Sequence, residues 1–412
     1  MKLELVTVGT ELLLGFTVDT NAAWIGTALA AAGVQMARRT TVPDAVDAIH
    51  DAVDAALARS EFVLVTGGLG PTRDDITKHT VAELLGMPLE FDETIWVMLS
   101  ERWARYGRTL VESNRSQAMV PRGATVLPNH WGSAPGLWLA SPRGVVVMLP
   151  GVPTEMMKLM EHEVLPRLAG HADGTVIRSA TVRTSGIGES VLAEGIGTLQ
   201  DELTPLSLAY LPGVAGVDLR VTAWGLPADE AVRRLHDACA KLHANVGPHA
   251  WGDGDDDLAA LLLAKLRAAG KTLAVAESCT GGMLGQRLTA IEGASDVFLG
   301  GVLSYADAAK TALLGVPEGM ITRQGAVSEA VAEAMVTGVQ LRLAADVAVS
   351  ITGVAGPGGG SEEKPVGTVW IATCWDGTVA STRYHFSGNR REVRERAVQA
   401  ALLALWRQLE SP

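Results

Sequence analysis

Short runs of Val, Leu and Ile alternate with longer stretches of helical period along most of the chain. Leu3 to Val8 predicts a buried strand, Thr20 to Ala32 a helix stopped by Gly33, and Val34 to Thr41 a second strand. A helix from Asp44 to Arg59, a strand from Phe62 to Thr66 and a helix from about Asp75 follow. Strands alternating with helices predict a parallel sheet covered on both faces. A helix from Thr94 to Tyr106 places Trp96 and Trp103 on one face, as core or interface filling rather than a base-stacking platform.

The pattern then changes. Gly170-His171-Ala172-Asp173-Gly174 reads as a linker. After it come a strand from Val176 to Thr184, a helix from Ser190 to Leu199, strands at Ser207 to Leu211 and Val217 to Ala223, and a helix from Ala228 to Ala244. This is a small α+β unit. Asp253 to Asp257 marks the next boundary and supplies a cap for a helix from Leu258 to Ala269. Beyond it, strands at Thr272 to Val275, Val297 to Ser304, Val347 to Ile351, Thr368 to Cys374 and Ser381 to Phe386 alternate with helices. These begin near Met283 and Lys310, at Ser328 (N-cap, to Leu343) and at Glu392, predicting an α/β layered domain. The expected domains are 1–168, 170–252 and 253–412.

With 412 residues, 48% hydrophobic and 19% charged, the chain has apolar material for two or three cores. Its apolar runs are shorter than the ~18 residues of a membrane span, and Met1-Lys2-Leu3-Glu4 begins a strand rather than a signal peptide, so a cytoplasmic location is expected. Cys239, Cys279 and Cys374 lie far apart without metal or disulfide spacing. A net charge of −12 opposes nonspecific binding to nucleic acid.

Candidate chemistry concentrates in Ala276-Glu277-Ser278-Cys279-Thr280-Gly281-Gly282, between an apolar strand and a helix. A serine at such a turn exposes its hydroxyl and leaves the first helical amides to hold an oxyanion; simple capping of the helix by Ser278 and Thr280 is the other reading. Downstream lie Tyr305-Ala306-Asp307-Ala308-Ala309-Lys310 and the glycine-rich Gly353 to Gly360, leading to Lys364-Pro365-Val366-Gly367-Thr368. Serine and lysine without a histidine partner suggest a serine–lysine amidase, in which a lysine of lowered pKa removes the serine proton. These stretches, with Gly325-Ala326-Val327-Ser328, resemble the C-terminal domain of the CinA family, the nicotinamide mononucleotide (NMN) deamidases.

That resemblance implies Ser278 as nucleophile on the carboxamide, Lys310 as its base, and Tyr305 positioning or relaying the proton, with both facing the serine. It implies Thr280 and the amides of Gly281 and Gly282 as oxyanion or substrate contacts. Gly353 and Gly356 would lie near ribose or phosphate, and Arg390 would pair with the 5′-phosphate; no cofactor is needed. Asp307 departs from the family's asparagine and would raise the pKa of Lys310 if buried beside it.

In the first domain, strand Phe62 to Thr66 ends in Gly67-Gly68-Leu69-Gly70-Pro71-Thr72-Arg73-Asp74-Asp75. Glycines admit a phosphate to the backbone, and Asp74 and Asp75 offer carboxylates to a divalent cation (Mg, Mn or Co) bridging diphosphate oxygens; helix capping is the alternative role for either. Together with Gly9 to Gly15, Asn129 to Gly136 and Leu149 to Met156, this segment resembles the molybdopterin-binding fold of the CinA N-terminal domain. The resemblance implies metal-dependent hydrolysis of ADP-ribose to AMP and ribose 5-phosphate, with Glu11 as candidate base and Gly67, Gly68, Gly70 and Thr72 at the substrate. A noncatalytic pterin or nucleotide binder is the competing reading.

The middle segment is similar to the K-homology (KH) fold of CinA proteins. Gly186-Ile187-Gly188-Glu189 lacks the Gly-x-x-Gly spacing of nucleic-acid readers and adds an acid, so a linking and dimerising role is expected rather than direct nucleic-acid binding. The family implies a homodimer, and its competence name suggests an accessory role in DNA uptake or repair as a third reading.

Overall fold

The computed structural model describes residues 2–105, 107, 109–169 and 174–410. It divides into two compact units, Met1–Arg178 with Ala223–Arg234, and Ser179–Thr222 with Leu235–Pro412. The expected linker at Gly170 to Asp173 and the end of the expected helix at Tyr106 lie outside the described residues.

In the first unit, strands β1 (Lys2–Val8), β2 (Gln35–Val42) and β3 (Phe62–Thr66) join the later strands of one six-stranded sheet. A ribbon of β4 (Leu89–Phe91) and β5 (Met119–Pro121) stands apart from it, and β6 (Thr125–Leu127), β7 (Gly136–Ser141) and β8 (Gly144–Leu149) complete the sheet in the order β2-β1-β3-β8-β7-β6. Alternate residues feed opposite cores. Leu3, Leu5, Phe62, Leu64, Val147 and Leu149 pack with Ile25 and Leu29 of the helix Thr20–Ala31. Val6, Val8, Val63, Val65, Val146 and Met148 pack with Ile49 and Val53 of the helix Val46–Leu57. Burial on both faces is why these strands read as unbroken apolar runs. The parallel sheet expected from the sequence is present in β2, β1, β3 and β8, and it carries an antiparallel edge. β7 returns antiparallel to β8 through the tight turn at Ser141–Gly144, and β6 pairs antiparallel to β7.

In the middle segment, β9 (Thr175–Thr184), β10 (Ser207–Pro212), β11 (Val217–Pro227) and β12 (Ala250–Asp253) form a four-stranded sheet ordered β10-β11-β9-β12. The C-terminal sheet is ordered β14-β13-β15-β16-β17, from β13 (Leu273–Glu277), β14 (Phe298–Leu303), β15 (Val347–Gly353), β16 (Thr368–Trp375) and β17 (Thr378–His385). β13 runs parallel to both β14 and β15, so the carboxyl ends of three strands gather where Ser278 follows β13. Asp257 caps the helix Leu258–Ala268 through the amides of Ala259 and Ala260.

One face of this sheet carries small residues. Ala274, Ala276 and Ala348 lie under Val331, Ala332, Met335 and Val339 of the helix Glu329–Leu343, and buried Ser350 donates its hydroxyl to the Ala332 carbonyl at 2.6 Å. Gly338 on that helix meets the carbonyl oxygen of Leu314, where an added Cβ would stand only 2.0 Å away. Because the obstacle is backbone, Gly338→Ala must push aside the helix Asp307–Leu314, at a cost of about 2 kcal/mol. The expected result is a melting temperature several degrees lower, read by thermal unfolding with near-UV circular dichroism.

Candidate active site

Strand β13 ends in a carboxylate that shapes the turn after it. Glu277 is 1% exposed, and its oxygens accept the amides of Gly282 (3.0 Å), Leu284 (3.1 Å) and Gly285 (2.8 Å). The turn needs glycine, since Gly281 and Gly282 have φ of 57° and 93°. The Ser278 amide donates to the Ile351 carbonyl at 3.0 Å, which fixes the serine to the end of β15. The oxyanion role expected for the amides of Gly281 and Gly282 is corrected by this geometry. The first donates to the Ser278 carbonyl and the second to Glu277, so neither is available to a substrate. Ser278 itself is 7% exposed.

The helix Asp307–Leu314 brings Lys310 onto the serine. Its ammonium is 1% exposed and donates to Ser278 Oγ at 3.2 Å, to the Ser304 carbonyl at 2.9 Å and to the Tyr305 carbonyl at 3.3 Å. Burial pushes its pKa below the ordinary lysine value. Asp307 opposes this from 3.7 Å, but its side chain is 61% exposed, and desolvation outweighs it. Cys279, next to the serine, has its thiol pushed up to about 12 by burial and is no competing nucleophile.

Tyr305 lies differently from the sequence expectation. It is 63% exposed, and its hydroxyl accepts from Arg390 Nη2 at 3.0 Å instead of facing Ser278; only its carbonyl reaches Lys310. Arg390 also donates to the Gly356 carbonyl at 2.7 Å, so one guanidinium ties the Tyr305 segment to the glycine-rich loop. Gly353 and Gly356 are required by packing within the chain. A Cβ at Gly353 would meet Val369 at 2.7 Å, and one at Gly356 would meet Val366 at 2.6 Å.

Two residues unremarked in the sequence join this site. Glu277 is one, and its place beside the serine was the available signal. Arg394 is the other, one turn after Arg390 on the helix Arg390–Glu410, donating to the Thr280 carbonyl at 2.7 Å. Thr280 is fully buried, and among the described residues its hydroxyl has no hydrogen-bond partner.

In the first unit, β3 delivers the glycine loop as expected. Gly67 and Gly68 have φ of 107° and 68°, and a Cβ on them would strike the Val8 carbonyl at 2.2 Å and Thr77 Oγ1 at 2.1 Å. Asp75 accepts the amide (2.8 Å) and hydroxyl (2.5 Å) of Thr72, closing the loop on itself, and the helix starts at Thr77 rather than near Asp75. Neither aspartate caps that helix. Asp74 faces solvent. Lys78 is buried and its pKa falls to about 8 through desolvation. Glu11 shares a pocket with Asp19, Asn21, Thr66, Gly67 and Gly151, while Asp74 and Asp75 are not among its lining residues.

Among the described residues no group of three or more His, Cys, Asp or Glu is arranged to hold a metal ion. Two adjacent carboxylates, one facing solvent, fit a Mg²⁺-type ion that takes its remaining oxygens from water and a diphosphate, not a resident all-protein site. No helix among the described residues is long and apolar enough to cross a membrane.

Residues 255–409 match the family profile described as the CinA C-terminal domain, 179–252 the damage-inducible protein CinA KH domain, and 4–170 the "Probable molybdopterin binding domain". A CinA-like protein of Gemmatimonas aurantiaca is 52% identical over 406 residues, covering 98% of this chain and 95% of that protein. One of Salinibacter ruber is 43% identical over 404 residues, covering 98% of each chain. A solved CinA superfamily structure from Klebsiella pneumoniae is 37% identical and covers 37% of this chain and 96% of its own, with a TM-score of 0.37. With three family domains in this order and relatives matched over nearly their full length, the chain belongs to the CinA family.

Proposed function

We propose that the C-terminal domain hydrolyses NMN to nicotinate mononucleotide and ammonia. The observation that carries this reading is the buried Lys310 ammonium 3.2 Å from Ser278 Oγ, with its pKa depressed by burial. As the free amine, Lys310 takes the Ser278 proton while Oγ bonds to the carboxamide carbon. The Thr280 hydroxyl, unpartnered and buried, is the donor for the developing oxyanion. Collapse of the tetrahedral intermediate breaks the C–N bond, and Lys310 returns its proton to the departing ammonia. Water, deprotonated by the same amine, then hydrolyses the Ser278 ester. Arg390, whose partners here are the neutral Gly356 carbonyl and Tyr305 hydroxyl, is the cation for the 5′-phosphate, with Tyr305 placing it and the Gly353 to Gly360 loop beside the ribose.

The N-terminal domain is proposed to hydrolyse ADP-ribose to AMP and ribose 5-phosphate. Asp74 and Asp75 would hold a divalent ion (Mg, Mn or Co), which supplies charge neutralisation at the diphosphate when bound. Gly67, Gly68, Gly70 and Thr72 would line the phosphates, with Glu11 near them as base. Pterin or nucleotide binding without chemistry is the alternative, favoured by the placement of Glu11 in a pocket apart from the two aspartates. The expected setting is a cytoplasmic homodimer without direct nucleic-acid binding.

The test is ammonia release from NMN and AMP formation from ADP-ribose, each with and without EDTA. Ammonia release unaffected by EDTA and AMP formation abolished by it is the expected result. No ammonia under either condition would overturn the amidase; no AMP from ADP-ribose with added Mg²⁺, Mn²⁺ or Co²⁺ would leave the binding reading for the first domain.

Asp307 gives a graded test. Its charge raises the Lys310 pKa, so Asp307→Asn lowers it further. The acid limb of kcat/KM for NMN is expected to move to lower pH, increasing activity about two- to fivefold on that limb, with little change on the plateau. A limb that stays in place would show that the carboxylate is screened by solvent.

A further inference from the structure

We infer that a second, non-catalytic cavity, between the middle domain and the C-terminal helix, binds a nucleoside monophosphate. The cavity measures about 390 Å³ and is walled by the Gly186–Gly188 loop, the Gly213–Gly216 hairpin tip, Tyr384, Phe386, Arg396 and Arg407. Its size lies within the ~300–1,000 Å³ of small-ligand pockets.

The walls are fastened to one another. Ser185, 1% exposed, donates to the Ala215 carbonyl at 2.6 Å and accepts from Trp251 Nε1 at 3.1 Å and from Gln399 Nε2 at 3.2 Å. One hydroxyl thus joins the loop, the hairpin tip, β12 and the C-terminal helix, and the cavity is preformed. Gly186, at φ 73°, brings the loop so close that a Cβ would stand 3.2 Å from Arg407 Nη2 and from Leu403. With the loop turned against this helix, the recess between them suits a small molecule rather than a strand of nucleic acid.

Charge and shape specify the ligand. In a chain of net charge −12, the charged residues lining this cavity are Arg396 and Arg407, and among the described residues no acid lines it. Arg396 is steadied by the Ser387 carbonyl (2.8 Å) and hydroxyl (2.9 Å), both through Nη1, which leaves its charge uncompensated by any carboxylate among the described residues. The Arg396 guanidinium calls for a phosphate. Tyr384 and Phe386, stacked at 5.4 Å and 13°, add an aromatic wall for a planar ring. The bare backbone of the glycine segments leaves room for a sugar between the two.

Calorimetric titration of the full chain with AMP tests this assignment. A binding event is expected that Arg396→Glu weakens at least tenfold and Arg396→Lys less than threefold, with melting temperatures matching wild type. Inorganic phosphate and adenosine should each bind there at least tenfold more weakly than AMP. Val214→Trp, which fills the cavity from the hairpin tip, should abolish the same event and serves if the charge reversal fails to fold. Superimposable isotherms for wild type and either Arg396→Glu or Val214→Trp, or no event with AMP up to millimolar concentration, would overturn the proposal. Phosphate binding as tightly as AMP would overturn the nucleotide assignment.

Discussion

Ser278→Ala is expected to reduce kcat for ammonia release from NMN by at least ~10³-fold while the protein stays folded. Removing the hydroxyl removes the atom that bonds to the carboxamide carbon, and no neighbour can replace it. Cys279 is the nearest alternative nucleophile, but its thiol is pushed up to about 12 and stays protonated at neutral pH. The structural cost is small because Ser278 Oγ has one hydrogen-bond partner among the described residues, Lys310 Nζ, which keeps the carbonyls of Ser304 and Tyr305. The turn is set by the Glu277 carboxylate and the two left-handed glycines, none of which depends on the serine side chain. Circular dichroism and thermal melting should superimpose on wild type, and titration should show NMN still bound. Ammonia release within tenfold of wild type would remove Ser278 from the chemistry and leave it as a buried partner of the Lys310 ammonium.

How far the sequence disclosed this arrangement depended on whether a feature was periodic or directional. β3 was legible to the residue because four consecutive apolar positions feed two cores, with Val63 and Val65 on one face and Phe62 and Leu64 on the other. The antiparallel edge was not, because its strands are joined by a tight hairpin within a stretch that reads as motif rather than as alternation. The helix after the glycine loop starts at Thr77 because Asp75 is engaged with Thr72, a local hydrogen bond that composition does not reveal. In the candidate active site, Ser278 and Lys310 meet as expected from a strand end and a helix start, yet Tyr305 turns toward Arg390. Gly281 and Gly282 differ from expectation for a related reason. The sequence implies a free helix N-terminus, while the neighbouring Glu277 side chain already fills it. Backbone placement follows from pattern; which amides and hydroxyls remain unengaged is decided only when side chains from distant segments arrive.

Lys310→Met should lower kcat/KM for NMN by ~10³-fold or more and remove the acid limb from its pH profile. In the charged form the three hydrogens of the ammonium have three acceptors, Ser278 Oγ and the carbonyls of Ser304 and Tyr305, and no lone pair faces the serine. Loss of one proton turns the group into an acceptor for the Ser278 hydroxyl without moving a heavy atom. Activity therefore belongs to the amine form, and kcat/KM must fall as pH drops through the Lys310 pKa, with a slope of one proton. Burial sets that pKa below the ordinary 10.5, so the limb lies at lower pH than an exposed lysine would give. Lys310→Arg should be as inactive as the methionine variant although it keeps the charge, because a guanidinium does not deprotonate in this range. That pair separates base catalysis from electrostatic positioning. Substantial activity in the arginine variant, or an acid limb that persists with methionine at 310, would mean that the lysine only holds the serine in place and that another group takes the proton.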